Sequence, residues 1–365
     1  MRIVEFSNGT LRFLDHVPAH APASGFVWIY VERDSLDAHL HTLQHAAQVL
    51  GGSQLLDLHV KDLANRSHPS HYDYTSVYDL VIFRRLATEA EVRAEIGHDA
   101  VQGTPLGTFA RLRSRAVGFV VFDRLLVTVH PSDCYAAREF VQRYVGDAVQ
   151  SEGLNAQARS RLPSGAADLM LRMLNMMVDS YLDLRKVLAN ELDQWQQELL
   201  APRGREANWG SLLTARNALH MLQDLCDEQL DAIQEWLDAQ QEQPAPWMPP
   251  AERDGLLARG RDVAEHVQRV VHHVHRMEQA AETAVQIHFS ALSHRTNEIM
   301  RVLTALTAVF LPLNFMTGFF GMNFEFLPLI HSPAAMWGVL GGMVGVSIGV
   351  VAVFWRKRYL ERTGR

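Results

Sequence analysis

Two long apolar runs without charge lie near the C-terminal end of the chain, after about 300 residues in which apolar and polar positions alternate. Residues 302–324 contain no Asp, Glu, Lys or Arg, and a second apolar run covers residues 334–355. A helix rises about 1.5 Å per residue, so each run is long enough to cross a hydrocarbon core about 30 Å thick. The pattern predicts two transmembrane helices, at about 301–323 and at 334–356, joined by a loop over 325–333.

The N-terminal part of the chain has a mixed pattern. Apolar residues at helical spacing predict a helix over residues 35–50, which Gly51 and Gly52 end. Short apolar runs rich in β-branched and aromatic residues predict buried strands, and a tight hairpin joins the last two of them. These strands are expected at residues 26–31, 78–83, 116–122 and 124–129. We therefore predict an α/β domain over residues 1–165.

From residue 166 onwards the pattern is helical. Apolar residues recur every three or four positions through residues 168–200 and 212–241, and prolines between 243 and 250 mark a turn. This pattern predicts antiparallel helices over residues 166–250. The methionines among these apolar positions are expected to pack in the core, not to bind metal. They are Met170, Met173, Met176 and Met177.

The longest helical stretch follows this turn. No proline occurs between Pro250 and Pro312, so a single helix is predicted over residues 251–324, continuing as a stalk into the first apolar run. An apolar stripe at helical spacing predicts that the stalk packs against copies of itself. The stripe consists of Val263, Val267, Val270, Val271, Val274 and Met277.

Charge gives the orientation of the two spans. Five of the last ten residues are Lys or Arg, whereas the loop over 325–333 has none. Because basic residues stay on the cytoplasmic side, both termini are expected in the cytoplasm and the chain in the inner (plasma) membrane. The net charge of −7 argues against a role in nucleic-acid binding, which needs a basic footprint.

The first span carries more polar residues than an anchor needs. Asn amides that face lipid are costly, so these residues are expected to face protein or water. One row at three- or four-residue spacing alternates polar and apolar side chains, and its repeat is close to that of a supercoil. The row consists of Asn297, Met300, Leu303, Thr307, Leu311 and Asn314. A gated pore and an interhelical packing seam both fit this row. Since one helix cannot enclose a conduit, a pore would require a cyclic homo-oligomer.

Small residues dominate the second span. Its five glycines repeat at small-xxx-small spacing, which predicts close helix packing and an outer, supporting position. They are Gly338, Gly341, Gly342, Gly345 and Gly349.

Other candidate chemistry in the chain is sparse. His41 and His45, and His272 and His275, lie one helical turn apart and could each share a divalent ion, although solvent-exposed histidines are the more common explanation. Cys134 and Cys226 are the only cysteines, which excludes a disulfide framework and a cysteine zinc site. No catalytic constellation is evident, so we do not expect an enzyme.

The end of the first span carries a recognisable motif. Gly321-Met322-Asn323, together with residues 293–304 and 309–314, resembles the Gly-Met-Asn signature region of the CorA family of divalent-cation transport proteins. A weaker resemblance covers residues 56–83 and 125–129. It implies an α+β membrane protein that assembles as a homopentameric funnel, with a cytosolic α/β domain, a long helical stalk and two C-terminal transmembrane helices.

The resemblance also implies roles for particular residues. Gly321, Met322 and Asn323 would form the selectivity filter, with the Asn323 amide and the Gly321 carbonyl facing the ion. Asn297 and Asn314 would be inner polar rings of the pore, and Met300, Leu303 and Leu311 its hydrophobic gates. Asp262 would bind a regulatory Mg²⁺ between subunits. His272 and His275 are further candidates for a regulatory metal, but from their spacing on the helix and not from the resemblance. Arg356, Lys357 and Arg358 would surround the cytosolic mouth.

The loop after the motif departs from the family pattern. Glu325 is retained, but Leu329 stands where a second acidic residue is usual, and His331 is a ligand type that suits Zn²⁺ better than Mg²⁺. We expect a channel for hydrated Mg²⁺ that is gated by cytosolic cation binding. A transporter of Zn²⁺, as in the related ZntB branch, or of Co²⁺ or Ni²⁺ remains an alternative. A membrane-tethered oligomeric metal sensor that does not conduct is the second alternative.

Overall fold

We describe the protein from a computed structural model. The described residues are 1–7, 10–88, 91–92, 109, 112–132, 162–200, 209–242, 248–322 and 333–356. Of these, 183, 195–200, 209–212, 333 and 335 are described by their backbone alone. The chain divides into two compact units, Met1–Thr283 and Ala284–Arg365.

A seven-stranded sheet forms the centre of the first unit, with the strand order β2-β1-β3-β7-β6-β5-β4. β3 and β7 run parallel, pairing Val27 with Leu125 through Glu32 with His130, and the other neighbouring pairs in this sheet are antiparallel. The strands are β1 (Arg2–Ser7), β2 (Thr10–Leu14), β3 (Phe26–Glu32), β4 (His71–Tyr74), β5 (Asp79–Leu86), β6 (Ser114–Val121) and β7 (Leu125–His130).

Both faces of the sheet are covered, because its central strands are apolar on both sides. On one face Ile29 and Val127 pack in a core with Leu43 of helix α1 (Leu36–Ala46) and Leu63 of helix α2 (Asp57–Ala64). A 3₁₀ turn, Arg33–Ser35, precedes α1, and a π turn, Ala47–Gly51, follows it. On the other face the Trp28 indole N–H donates to the Thr128 hydroxyl at 2.8 Å.

Four long helices follow the sheet. They are α3 (Ala166–Leu200), α4 (Trp209–Glu242), α5 (Pro250–Phe320) and α6 (Pro333–Arg356). α3 lies against β3, β5, β6 and β7, and α4 against β4 and β5. Met170, Met173 and Met177 of α3 are buried, as predicted for core methionines, and Met176 is half-buried. The apolar stripe of α5 is also buried within one chain, with Val263, Val267 and Val274 at 0%, 0% and 1% exposed, so the prediction that this stripe packs against copies of the chain is wrong.

The predicted α/β domain, the predicted strands β3, β5, β6 and β7, the long helices and the two C-terminal apolar helices are confirmed. The predicted loop lies, except for residue 333, outside the described residues. The hairpin between β6 and β7 closes through the Phe122 N–H, which donates to the Leu125 carbonyl oxygen at 2.8 Å. β1, β2 and β4 were not predicted. β2 and β4 lie at the two edges of the sheet, so their residues are less buried and their apolar pattern is weak.

Gly118 of β6 is required by the close approach of α2. A Cβ atom at this position would lie 2.2 Å from Cδ2 of Leu63, a side chain that is only 1% exposed. We expect Gly118→Val to lower the free energy of unfolding by about 1–3 kcal/mol, the usual cost of overpacking. Thermal unfolding of the purified chain measures this effect. Leu63→Ala makes room for the added methyl groups, so an equal penalty in that background would contradict the explanation.

Candidate functional site

Two helices in the second unit are long and apolar enough to cross a membrane. They are the C-terminal part of α5 and residues Met336–Arg356 of α6, and no residue in the most apolar window of either is buried within the chain. Large apolar side chains such as Phe315 and Trp337 are 73% and 67% exposed. Such surfaces need lipid or another protein surface to cover them.

The predicted polar and apolar row lies along one side of α5. Met300, Leu303 and Leu311 are 56%, 55% and 66% exposed. The polar members of the row, Asn297, Thr307 and Asn314, are also exposed. The whole row is therefore free of contacts that would cover it within a single chain.

The opposite side of α5 packs against α6. The Met316 Cε atom lies 3.6 Å from where a Cβ of Gly342 would be. The half-covered residues of α5, such as Ala305, Val309 and Leu313, lie on this side. Positions advance by about 100° per residue along a helix, which places Ala305, Val309 and Leu313 about half a turn from the predicted row. The row thus faces away from α6.

α6 meets α5 through larger side chains, not through its row of glycines. The half-covered positions of α6 include Val339, Met343 and Ser347. A Cβ added at Gly338, Gly341, Gly345 or Gly349 would meet nothing within 4 Å. Within one chain, Gly342 is the one of these five glycines that meets α5 closely, and close packing at the other four stays a prediction.

The hydroxyl groups in the first span are satisfied by the helix itself. Thr307 donates to the Leu303 carbonyl oxygen and Thr304 to that of Met300, both at 2.8 Å. Among the described residues, the amides of Asn297 and Asn314 make no such side-chain hydrogen bond. Pro312 lies inside the helix and has no N–H, so one backbone carbonyl oxygen of α5 lacks its helical donor. Polar capacity along this side of α5 therefore comes mainly from the two amides.

The helix ends at the recognised motif. The Gly321 N–H donates to the Thr317 carbonyl oxygen at 2.9 Å, and the Met322 N–H donates to that of Phe319 at 3.4 Å. Both residues are exposed. Several predicted site residues lie outside the described residues, namely Asn323, Glu325, His331, Lys357 and Arg358. Arg356 is the last residue of α6.

Among the predicted regulatory residues of α5, Asp262 lies ten positions before His272 on the helix, whereas His272 and His275 are one turn apart. Asp262 Oδ1 is 3.6 Å from Nε2 of His266, whose Nδ1 is 3.5 Å from Oδ1 of Asp179 on α3. His272 and His275 are exposed. In the part of the chain that the structure describes, no three His, Cys, Asp or Glu side chains converge as a metal-ion site.

His275 and Glu278 belong to a polar link between α4 and α5. Glu278 Oε1 is 3.1 Å from Nε2 of His220, and its Oε2 is 3.8 Å from Nδ1 of His275. One turn away, Arg216 Nη2 is 3.5 Å from Glu282 Oε1. These carboxylates on α5 were missed in the sequence, because their partners belong to another helix.

A cavity of about 1130 Å³ opens between the sheet edge and the ends of α4 and α5. Asp79 lines it and accepts hydrogen bonds from the Tyr72 hydroxyl at 3.2 Å and from the Gln240 amide at 3.0 Å. Burial raises the pKa of the Asp79 carboxyl from 3.8 to about 6, although hydrogen bonds from Tyr72 and Gln240 oppose the shift. This group could not be predicted from local sequence, since its partner Gln240 lies 161 positions away.

Comparison with curated proteins finds relatives that are named as transport proteins. The chain is 25% identical over 192 residues to the cobalt/magnesium transport protein CorA of Thermotoga maritima. That match covers 52% of this chain and 51% of the relative, so the chain matches about half of the relative's length. It is 23% identical over 249 residues to the cobalt/magnesium transport protein CorA of Methanocaldococcus jannaschii, covering 68% of this chain and 73% of the relative.

A solved structure has the same fold. The complete structure of the CorA magnesium transporter from Methanocaldococcus jannaschii matches with a TM-score of 0.74 and 18% identity, covering 100% of this chain and 98% of that chain. The family model described as "CorA-like Mg2+ transporter protein" matches residues 23–358. Because this match spans nearly the whole chain, including most of the α/β domain and both apolar helices, the protein belongs to the family of CorA-like Mg²⁺ transporter proteins.

Proposed function

We propose that this chain forms a homopentamer in the inner (plasma) membrane and conducts hydrated divalent cations, foremost Mg²⁺. The pore is lined by the C-terminal part of α5, and α6 supports it from outside. This function is transport down an electrochemical gradient, without a catalytic step.

The exposed row on α5 is the observation that carries this proposal. Asn297, Thr307 and Asn314 alternate with apolar residues on the side of α5 that α6 leaves open. A row that faces lipid would place the Asn314 amide in hydrocarbon at a cost of several kcal/mol. Around a cyclic axis, the same row gives polar rings and the apolar constrictions of a gate.

The chemistry of the motif favours a hydrated ion. Mg²⁺ gives up its water reluctantly, so the Gly321 carbonyl and the Asn323 amide would hold it by hydrogen bonds to its hydration shell. Relatives named as cobalt/magnesium transport proteins support this ion class. His331 keeps Zn²⁺ as the competing cargo, because imidazole suits Zn²⁺.

Orientation and regulation follow from charge. The basic residues Arg356, Lys357 and Arg358 would remain in the cytoplasm and surround the inner mouth of the pore. Asp262, which is exposed, would bind regulatory cation together with groups from a neighbouring copy. His272 and His275 are the other exposed candidates on the same helix.

Cation uptake into proteoliposomes tests the proposal. We expect Mg²⁺ uptake by the reconstituted chain well above that of empty liposomes, and we expect Asn323→Ala to abolish it or to remove its selectivity. Zn²⁺ and Co²⁺ are measured in parallel. Ser347→Ala in α6 is the control, because it also removes a polar group from a span. The Ser347 hydroxyl donates to the Met343 carbonyl oxygen of its own helix and lies outside the proposed pore.

Three outcomes separate the alternatives. Uptake of Mg²⁺ that depends on Asn323 supports the proposed channel. Uptake of Zn²⁺ alone would make Zn²⁺ the transported ion in place of Mg²⁺, and His331 would be the next residue to change. No uptake of any of these ions by correctly assembled protein would contradict transport and favour a metal sensor.

A further inference from the structure

Two guanidinium groups converge on one imidazole between α3 and α5. Nη1 of Arg185 contacts Nε2 of His273, and Nη2 of Arg276 contacts Nδ1 of the same ring. Arg185 and His273 are half-buried, and Arg276 is exposed. We call these three residues the Arg–His–Arg cluster.

The donors and acceptors within this cluster do not match. A guanidinium has only donors, and a neutral imidazole has one N–H and one acceptor nitrogen. His273 can therefore accept from Arg185 or from Arg276, but not from both, and the other guanidinium faces an N–H group. A protonated ring would have no acceptor at all. In neither protonation state can His273 accept a hydrogen bond from both guanidiniums.

The charges around the cluster point the same way. Among the described side chains, no Asp or Glu forms an ion pair with Arg185 or Arg276. By contrast, Arg216 on the neighbouring α4 is paired with Glu282.

The base of the cluster is apolar. Arg185 and His273 line a small gap together with Val270, Val274 and Met277, which are 5%, 1% and 8% exposed. Hydrogen bonds at the edge of an apolar region are stronger than in water, since the local dielectric constant is lower. An anion at this edge would accept hydrogen bonds from the exposed Arg276 and from the half-buried Arg185.

We propose that the Arg–His–Arg cluster binds a phosphate-bearing anion. A phosphoryl group has several acceptor oxygens and up to two negative charges, so it can accept from both guanidiniums and from the imidazole N–H at once. Inorganic phosphate and the phosphates of a nucleotide share this chemistry. The site is independent of the pore and does not rest on the transport proposal.

Calorimetric titration of the full chain in detergent micelles tests this site. Inorganic phosphate and ATP are titrated separately in metal-free buffer with a chelator, so that binding through Mg²⁺ is excluded. We expect one anion per chain, bound at least about tenfold more weakly after Arg185→Gln or Arg276→Gln, because each removes charge-assisted hydrogen bonds. ATP binding alone, with the same dependence, would identify a nucleotide as the source of the phosphate.

Arg216→Gln is the matched control. It also removes one cation from the helices of this unit, yet it leaves the cluster intact and should leave phosphate binding unchanged. Because Arg276 is exposed, Arg276→Gln remains informative even if Arg185→Gln fails to fold. The proposal is overturned if acetate binds as well as phosphate, if Arg276→Gln has no effect, or if the assembled protein binds no anion because a neighbouring copy fills the site.

Discussion

The variant Thr307→Cys is expected to react with a water-soluble, positively charged methanethiosulfonate reagent. This reaction is expected to block most of the Mg²⁺ flux. Thr307 lies in the middle of the exposed row on α5, where our proposal places the water-filled pore. A bulky cation attached there would obstruct the pore and repel the permeating ion. Flux into proteoliposomes before and after labelling measures the effect.

The background for this experiment is a chain without reactive thiols. Cys226 is buried, and burial raises the pKa of its thiol to about 12, so the reactive thiolate is scarce. It is changed to Ala, which is smaller and apolar and suits the buried position. Cys134 lies outside the described residues and is changed to Ser. Val309→Cys is the matched control, since it lies two positions along the same helix but on the side that packs against α6.

Labelling at position 307 without loss of flux would contradict a pore along this side of α5. Equal labelling and equal block at position 309 would also contradict such a pore, because the two sides of the helix would then be equally accessible to water. Protection of both positions, with flux intact, would favour the interhelical seam.

Asp79→Asn is expected to stabilise the α/β domain above about pH 6, by about 2–3 kcal/mol. Burial raises the pKa of the Asp79 carboxyl from 3.8 to about 6, and one pKa unit corresponds to about 1.36 kcal/mol. Asn avoids the buried charge and can still exchange hydrogen bonds with Tyr72 and Gln240. Thermal unfolding of both proteins in detergent between pH 4 and 8 measures the difference.

The direction of the pH effect follows from proton binding. Between about pH 4 and 6 the folded chain holds a proton on Asp79 that the unfolded chain has released. Stability therefore falls as pH rises through this window, and the cost is present in full above about pH 6. The difference between Asp79→Asn and the unchanged protein should vanish near pH 4.

Asp238→Asn is the control for Asp79→Asn. Asp238 lines the same cavity on α4, but its carboxylate is exposed. We expect no comparable gain in stability from this change. Parallel pH profiles for Asp79→Asn and the unchanged protein would contradict the burial of an ionisable Asp79.

Much of the architecture could be predicted from local periodicity. Apolar runs marked β3, β5, β6 and β7, and the long helices followed from apolar residues at three- and four-residue spacing. The edge strands β2 and β4 were missed, because a strand with one neighbour and exposed side chains leaves little pattern in the sequence.

The candidate site likewise contains features that could be predicted from local sequence and features that could not. The row from Asn297 to Asn314 could be predicted as a row, because its spacing is a property of one helix. Whether Asn323 forms the filter stays a prediction, since it lies outside the described residues. The glycines of α6 show where local reasoning fails, because small residues indicate that close approach is possible but not which helix approaches.

By itself the sequence determined the long helices, the central strands, the two apolar spans and the family motif, since each depends on residues close together in the chain. Only the tertiary structure decided which side of α5 is covered by α6, that Asp79 meets Gln240, and that Arg185 meets His273. The last two pairs are 161 and 88 positions apart in the sequence. Contacts over such distances depend on how whole elements pack, and no local pattern of apolar and polar residues encodes them.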